Sequence, residues 1–482
     1  MEGLEISVID YKKIDHIKKR LDAEYYKKEY LRIDEKIKSI GETYLPTINT
    51  KLDCSAFYPS ITPYYNFQGE GVPFLRVNEI RNGLVKITKD TAFLPQHVLD
   101  ANTSTIAIGY PGDIIIAKGG NTLAKVGLIT PQYKKYALSR DIILVRTNKI
   151  KNYNSYFLWL FLHSDFGQAL LWRTASQTGQ PHLTLKSIKE INLPKFSRDF
   201  ERISEKIYLR SVELNGFSNI AYKKAELLLL NNLGVQDIER SQSSFNIKKF
   251  SNSFQPSGRF DAEYYQAKYD QYQDLITSHS NGYGLFDKIC NLRDKNYKPE
   301  DEKVYKYIEL SNIGKSGEIT GFTTEIGEEL PTRARRKVKT NDVIISSIEG
   351  SLESCALVTP EYDNALCSTG FYVINSEKIN PETLLVLFKS EPLQNLLKKG
   401  CSGTILTAIN KSELKKIPIP LINNNTQEKI KAKINESFEL RNQSNHLLEV
   451  AKRAVEIAIE KNENTAMKFI ESEVENKYEF IY

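Results

Sequence analysis

Residues able to do covalent or metal chemistry are present in this chain, but not at the spacings such chemistry needs. Five cysteines, Cys54, Cys290, Cys355, Cys367 and Cys401, stand far apart with no Cys-x-x-Cys pair. They fit neither a zinc site nor a disulfide framework and are read as buried or idle thiols. Six histidines form no His-Glu-x-x-His or comparable ligand set. Phe67-Gln68-Gly69-Glu70-Gly71 matches the short Phe-x-Gly-x-Gly pattern of chains that hold S-adenosylmethionine, but it lies in a Pro- and Tyr-rich loop. The chain contains no Pro-Pro, and so no Asn/Asp-Pro-Pro-aromatic motif. Gly314-Lys315-Ser316 ends like a phosphate-binding loop, yet Glu309 stands where its first glycine belongs. Asp301-Glu302-Lys303 is half of a metal-dependent nuclease signature without a partner acid upstream. Nothing here supports acid–base or nucleophilic catalysis. No catalytic site, metal or cofactor is expected.

The elements behind these residues must therefore serve recognition or assembly. A chain of 482 residues exceeds one compact core, so two or more domains are expected. With 40% hydrophobic and 26% charged residues the composition is that of a soluble protein. No run approaches the ~20 apolar residues of a membrane span. Met1-Glu2-Gly3-Leu4-Glu5 puts acids where a signal peptide carries its basic end, so the cytoplasm is the expected location. A net charge of +6 and an isoelectric point near 8.7 are compatible with a polyanionic partner. They fall short of the value above ~9 that marks a strongly basic nucleic-acid domain.

The strongest signal is a repeat. Arg20-Leu21-Asp22-Ala23-Glu24-Tyr25-Tyr26 returns 239 residues on (20 to 259) as Arg259-Phe260-Asp261-Ala262-Glu263-Tyr264-Tyr265. Gly112-Asp113-Ile114-Ile115-Ile116 returns 229 residues on (112 to 341) as Asn341-Asp342-Val343-Ile344-Ile345. Leu128-Ile129-Thr130-Pro131-Gln132-Tyr133 returns at the same offset as Leu357-Val358-Thr359-Pro360-Glu361-Tyr362. Ile191-Asn192-Leu193-Pro194 answers Ile417-Pro418-Ile419-Pro420, and Ser204-Glu205-Lys206-Ile207 answers Gln427-Glu428-Lys429-Ile430. Such a period exceeds the 20–50 residues of solenoids, so a whole domain with its trailing helix is duplicated. Within each copy, residues 113–117 and 342–346 read as strands, and Gly119-Gly120 or Gly350 mark the loop that follows. Leu158–Leu162 and Leu384–Phe388 read as buried helices. After Pro194 and Pro420 the period becomes helical: Ile203, Ile207, Leu214, Phe217 and Ala221 in one segment, Ile430, Ile434, Phe438, Leu448, Val455 and Ile459 in the other. These positions are expected to form a mutual seam.

Domain, long helix, domain, long helix, with Gly-Asp-Ile-Ile-Ile in the sheet and an Ile/Leu-x-Leu/Ile-Pro block before each helix, resembles the specificity subunits of type I restriction-modification systems. The likeness runs from about Arg20 to about Glu460. It implies an α+β fold with two duplicated target recognition domains, related by pseudo-twofold symmetry and separated by two long antiparallel coiled-coil-like helices. The expected bounds are 1–198 and 235–425 for the recognition domains. Residues 199–234 and 426–462 are the spacer helices, and 463–482 an acidic, solvated tail. The resemblance further implies a non-catalytic subunit of a phage-defence system of DNA methylation and cleavage. Each domain would read half of a split double-stranded DNA sequence, and the helices would set the spacing. The helices would also dock two modification (methyltransferase) subunits, with restriction (endonuclease/translocase) subunits joining through the complex. A helix of about 33 residues spans roughly 50 Å, of the order of the 34–36 Å between half-sites one turn apart.

Base reading needs donors and acceptors on loops that reach groove edges, and phosphate contact needs Lys, Arg or backbone amides. In the first copy the candidates are Lys118, Asn121, Thr122 and Lys125, then Arg173, Gln177, Thr178, Gln180 and His182, with Arg76, Asn78 and Arg81 as a weaker set. In the second the matching loop holds Ser347, Glu349, Ser351 and Glu353; Lys398, Lys399, Ser402 and Thr404 match the other cluster. Its acids are expected to be offset by the basic run Arg333, Arg335, Arg336, Lys337 and Lys339. The Asp-Ala-Glu-Tyr-Tyr blocks are expected to pack each domain onto the helices. Two other readings stay open: a scaffold without DNA contact, and the specificity subunit of a related two-component enzyme.

Overall fold

Runs of β-branched side chains have few χ1 states and pack well on a pleated surface, and the duplicated isoleucine-rich runs form the centre of each sheet. The structure, a computed structural model, describes residues 8–11, 14, 20–56, 59–88, 90–176, 179–237, 246–403 and 407–474. It separates into two units, Met1–Glu213 with Gln443–Tyr482, and Leu214–Asn442. These bounds cut both long helices in mid-length, so each unit includes half of each helix.

In the first unit β1 (Lys51–Cys54), β2 (Ile114–Ala117), β3 (Val126–Leu128) and β4 (Ile142–Arg146) lie in the order β1-β4-β2-β3, antiparallel throughout. In the second, β5 (Asn291–Arg293), β6 (Val343–Ser346), β7 (Cys355–Leu357) and β8 (Phe371–Asn375) lie in the order β5-β8-β6-β7. The registers agree pair for pair: Ile114 faces Leu128 as Val343 faces Leu357, and Ile116 faces Val126 as Ile345 faces Cys355. A one-residue slip would turn every side chain to the other face, so this agreement keeps equivalent positions equivalent. Strands β2 and β6 are buried along their whole length. Asp113 and Asp342, just before them, accept the backbone N–H of Tyr110 (3.0 Å) and Lys339 (2.8 Å) and so fix the same turn twice. A second sheet in each unit carries one parallel pair, Val72–Leu75 with Tyr136–Leu138 and Val304–Ile308 with Leu366–Ser368.

The helices that follow are α1 (Lys28–Ile40), α2 (Ser155–His163), α3 (Asp165–Thr174) and the long α4 (Arg198–Leu233). Then come α5 (Ala267–Thr277), α6 (Pro381–Lys389), α7 (Glu391–Lys399), the long α8 (Asn424–Glu460) and α9 (Glu463–Val474). The apolar runs fall on α2 and α6, which are buried nearly all round. Asn192–Pro194 and Pro418–Pro420 form two-stranded pairs with Glu42–Tyr44 and Tyr283–Leu285. A proline costs little there because no further strand needs its missing N–H.

Helices α4 and α8 pair antiparallel within each unit. In the first, the Ser444 hydroxyl donates to the Ser211 carbonyl (2.6 Å); in the second, the Ser437 hydroxyl donates to the Ser218 carbonyl (2.8 Å). Both contacts lie on heptad rows, Ser204, Ser211, Ser218 and Ala225 on α4 and Ile430, Ser437, Ser444 and Ala451 on α8, all buried. Ile207, Leu214, Ala221, Ile430, Ile434, Val455 and Ile459 are buried as the periodicity requires. Phe217 is not: 44% of it is exposed. Leu447 rather than Leu448 is the buried leucine. Small serines hold the seam, and a count of apolar residues passes over them.

The segment expected to be a solvated tail is helical from Glu463 to Val474. It buries Ala466, Ile470 and Val474. Its first residue, Glu463, accepts the Ser197 backbone N–H (2.9 Å) and the Ser197 hydroxyl just ahead of α4.

Candidate nucleic-acid interface

In the first unit the chain leaves β2 through Lys118, Gly119 and a 3-10 turn at Gly120–Thr122 before re-entering the sheet as β3. The segment after α3 lies directly on this loop. Ser176 and Gly119 each bridge to His182, and the Leu183 N–H donates to the Lys118 carbonyl (2.8 Å). A Cβ on Gly119 would stand 2.9 Å from His182 Nδ1 and 3.2 Å from the Pro181 carbonyl, so a side chain there would push on the joint. Two clusters some sixty residues apart in sequence are thereby joined. Asn121, Lys125, Gln180 and His182 are exposed, Thr122 and Lys118 half-buried. The Lys118 ammonium donates to the Arg140 carbonyl (2.5 Å), and Thr122 to the Gly119 carbonyl (3.1 Å). Gln177 and Thr178 lie outside the described residues.

The second unit repeats this joint. Ile348 bridges to Ala408, and the Ile409 N–H donates to the Ser347 carbonyl (2.8 Å). The Glu349 N–H donates to the Thr407 carbonyl (2.9 Å). Ser347 turns its hydroxyl to the Gly370 carbonyl and Ser351 pairs with Ser346. Ser402 is exposed on the short hairpin Cys401–Ser402/Ala408–Ile409. Thr404 lies outside the described residues. The same backbone joint thus presents Lys118, Asn121 and Lys125 in one unit and Ser347, Gly350 and Ser354 in the other.

Three expected contacts are placed otherwise. Arg173 is buried: it pairs with Asp34 (3.2 Å), donates to the Tyr25 carbonyl (3.0 Å) and stacks over the Tyr25 ring. Its guanidinium is spent on packing and is not offered to a ligand. Lys399, its counterpart, is half-buried over Tyr264 and bonds Gln273 (3.2 Å); burial lowers its pKa. Lys398 faces Glu263 (3.7 Å) and Glu349 (3.9 Å), so it, rather than the 333–339 run, offsets the acid in the loop. In that run Arg333 pairs with Glu309 (2.6 Å), Arg335 caps the Thr332 carbonyl (2.9 Å) and Lys337 stands 4.9 Å from the Tyr297 ring centre. Arg336 is half-buried, with Nε and Nη1 enclosed and without a hydrogen-bond partner. Lys339 is exposed.

Arg140 was not singled out from sequence. It is exposed at the turn between Tyr136–Leu138 and β4, strands of two different sheets, whose Asp141 carbonyl accepts the Lys118 N–H (2.9 Å), as Gly370 accepts from Ser347. Spacing alone gives no signal for it, because the turn adjoins the loop only through the β2–β4 pairing.

The motifs set aside from sequence have structural positions. Glu318, in the Gly314–Glu318 loop, pairs with Arg441 of α8, which also bonds Ser316 (3.1 Å) and Ser218 (3.0 Å). Burial lowers the Arg441 pKa to about 10. Gly317, at φ 80°, lets the loop close on Leu385. Cys290 and Cys355 are buried thiols pushed up to about 12 and about 11. Among the described residues no group of three or more His, Cys, Asp or Glu is placed to hold a metal. No described helix is long and apolar enough to cross a membrane.

The family described as type I restriction modification DNA specificity domain matches residues 60–195 and 283–450, more than half of the chain. Over 136 residues the chain is 28% identical to the type I restriction enzyme EcoDI specificity subunit of Escherichia coli, covering 28% of this chain and 30% of that protein. The alignment thus spans under a third of that relative. Among solved structures, the S subunit of a type I restriction-modification system from M. genitalium matches at 13% identity and a TM-score of 0.38, over 89% of this chain and 95% of that one. The HsdS subunit from Thermoanaerobacter tengcongensis matches at 15% identity and a TM-score of 0.26, over 86% and 97%.

Proposed function

The chain belongs to the type I restriction modification DNA specificity domain family, and from that premise we propose that it is the DNA-reading subunit of such a system. Each unit reads one half of a bipartite duplex sequence, and the helix pair sets the spacing. The helices dock modification subunits, two in the full complex, and restriction subunits join through the complex. The chain itself performs no chemistry and works in the cytoplasm.

The observation that carries this reading is the duplicated joint between two loops. Two of its backbone hydrogen bonds, Leu183 to Lys118 and Lys118 to Asp141, recur as Ile409 to Ser347 and Ser347 to Gly370, while the side chains around it differ in charge and type. Two readers of unlike half-sites need that combination, because bases are told apart by side-chain donors and acceptors. In the first unit Asn121, Gln180 and His182 are the base-reading candidates, and Lys125 and Arg140 the phosphate contacts. In the second, Glu349, Ser351 and Ser402 read, with Arg333, Arg335, Lys337 and Lys398 supplying positive charge.

The target is identified by methylome sequencing of cells with and without the chain. Duplexes carrying that motif, intact or altered in one half, are then titrated with the chain and its methyltransferase partner at matched salt. Asn121→Ala and Gln180→Ala are expected to cost about 1–3 kcal/mol of discrimination each, confined to one half. Lys125→Ala is expected to weaken all duplexes alike and to reduce the salt slope by about one. Equal affinity for intact and scrambled duplexes at every salt concentration would refute the proposal.

A further inference from the structure

The Arg-x-Asp-Ala-Glu-Tyr-Tyr blocks build one clamp twice. In the first unit the Arg20 guanidinium forks onto Asp22 (2.8 and 2.6 Å). Its remaining donors reach the carbonyls of Thr174 (3.1 Å) and Ala175 (2.9 Å). The Tyr25 ring lies between two guanidinium groups, Arg20 at 4.6 Å and Arg173 at 4.4 Å. The Tyr26 hydroxyl returns to the Arg20 carbonyl (2.9 Å). In the second unit Arg259 forks onto Asp261 (2.8 and 2.6 Å) and donates to the Cys401 carbonyl (3.0 Å). Tyr264 lies between Arg259 (4.4 Å) and Lys399 (5.2 Å). The Tyr265 hydroxyl closes on the Arg259 carbonyl (2.8 Å).

The position of the accepted carbonyls is what matters. Thr174 and Ala175 immediately precede the segment 176–182, and Cys401 immediately precedes 402–408. The far root of each segment is already held, by Leu183 on Lys118 and Ile409 on Ser347. The arginine holds the near root. Its ion pair is partly exposed, at 19% and 30% for Arg20 and Asp22 and 19% and 45% for Arg259 and Asp261. Partly exposed pairs of that kind contribute little to global stability. The clamp is therefore a weak staple for the fold but sits where it can govern one loop.

We propose that Arg20 and Arg259 are positioning residues for DNA specificity, each fixing the recognition segment of its own unit by clamping the backbone at its near root. This rests on the assignment of those segments to DNA, and two measurements separate the two claims. The first is amide hydrogen exchange of the full chain, read on peptides covering 175–183 and 401–409. Arg20→Ala is expected to raise exchange at least tenfold in the first peptide only, and Arg259→Ala in the second only. Arg20→Lys is expected to behave as Arg20→Ala, because an ammonium cannot fork onto a carboxylate and reach two carbonyls at once. Unchanged exchange, or rescue by lysine, would overturn the clamp.

The second measurement uses the methylome-defined duplex and its single-half variants. Arg20→Ala is expected to lower discrimination about tenfold in the half read by the first unit and to leave the other half intact; Arg259→Ala does the converse. Loss of discrimination in both halves, or in neither while Gln180→Ala and His182→Ala lose it, would refute the positioning role alone. If those loop substitutions also leave discrimination unchanged, the loop assignment fails and the proposal fails with it.

Discussion

Gln427 stands where Glu201 does, 226 residues on, and not where Ser204 does, since each accepts the N–H of the equivalent asparagine, Asn154 or Asn380. The structure thus shifts one block of the repeat by three residues, and the pair explains an unusual acid. Gln427 accepts the Asn380 N–H through Oε1 (2.7 Å) and donates through Nε2 to the carbonyls of Lys378 (3.1 Å) and Ile422 (2.8 Å). Glu201 keeps the first bond, from the Asn154 N–H (3.1 Å), but as a carboxylate has no donor for the rest. Burial raises its pKa to about 7, against the pull of the Asn154 N–H and Arg198. A carboxyl whose folded pKa is raised costs stability as pH climbs from its ordinary value near 4.5 through about 7. Glu201→Gln removes that cost. We expect the variant to gain roughly 1–2 kcal/mol at pH 8, less than the full value of such a shift because the carboxylate keeps some access to water. The gain should vanish near pH 4.5, and denaturant unfolding at the two pH values checks it. The repeat read from sequence sets Gln427 against Ser204, so neither the match nor the role of Glu201 is legible there, because burial of the carboxylate depends on how α2 docks on α4.

At the scale of elements, the expected spacer helices 199–234 and 426–462 differ by at most two residues at each end from the observed Arg198–Leu233 and Asn424–Glu460. Periodicity misassigned part of their seam. Phe217 was counted inward and is exposed, whereas Ser204, Ser211 and Ser218 recur every seven residues and are buried. Hydrophobicity ranks serine as neutral, so its burial shows only once the partner helix is in place. Small side chains let the two backbones approach closely enough for serine hydroxyls to reach facing carbonyls. Overfilling such a site forces the backbones apart. We expect Ser218→Leu to destabilise the fold by about 1–3 kcal/mol, seen as a lowered Tm, while Ser218→Ala costs under about 1.5 kcal/mol. If leucine were accommodated without loss, the close seam would be wrong. The sheets were more legible, since an isoleucine run has few alternatives. The meeting of residues 118–125 with 176–183 was not legible, because it depends on which strands pair.

For the whole molecule, the heptad seam and the proposed spacing role make a joint prediction. Seven residues inserted into both helices at facing heptad positions preserve the seam and lengthen each helix by about 10 Å. That is about three base pairs of duplex, so methylome sequencing should find the same two half-sequences separated by about three more positions. An unchanged separation would show that the helices do not set it. The duplicated joint carries a consequence for how such a chain diversifies. In both units the joint is made through main-chain groups, Leu183 to Lys118 and Ile409 to Ser347, and main-chain groups are common to almost every amino acid. Apart from Gly119, where a Cβ would crowd His182 and the Pro181 carbonyl, exposed positions such as Asn121, Lys125 and Gln180 can change without breaking these main-chain bonds. On the proposed reading, new target sequences would then arise by point changes that selection sees as altered preference before it sees any loss of folded protein.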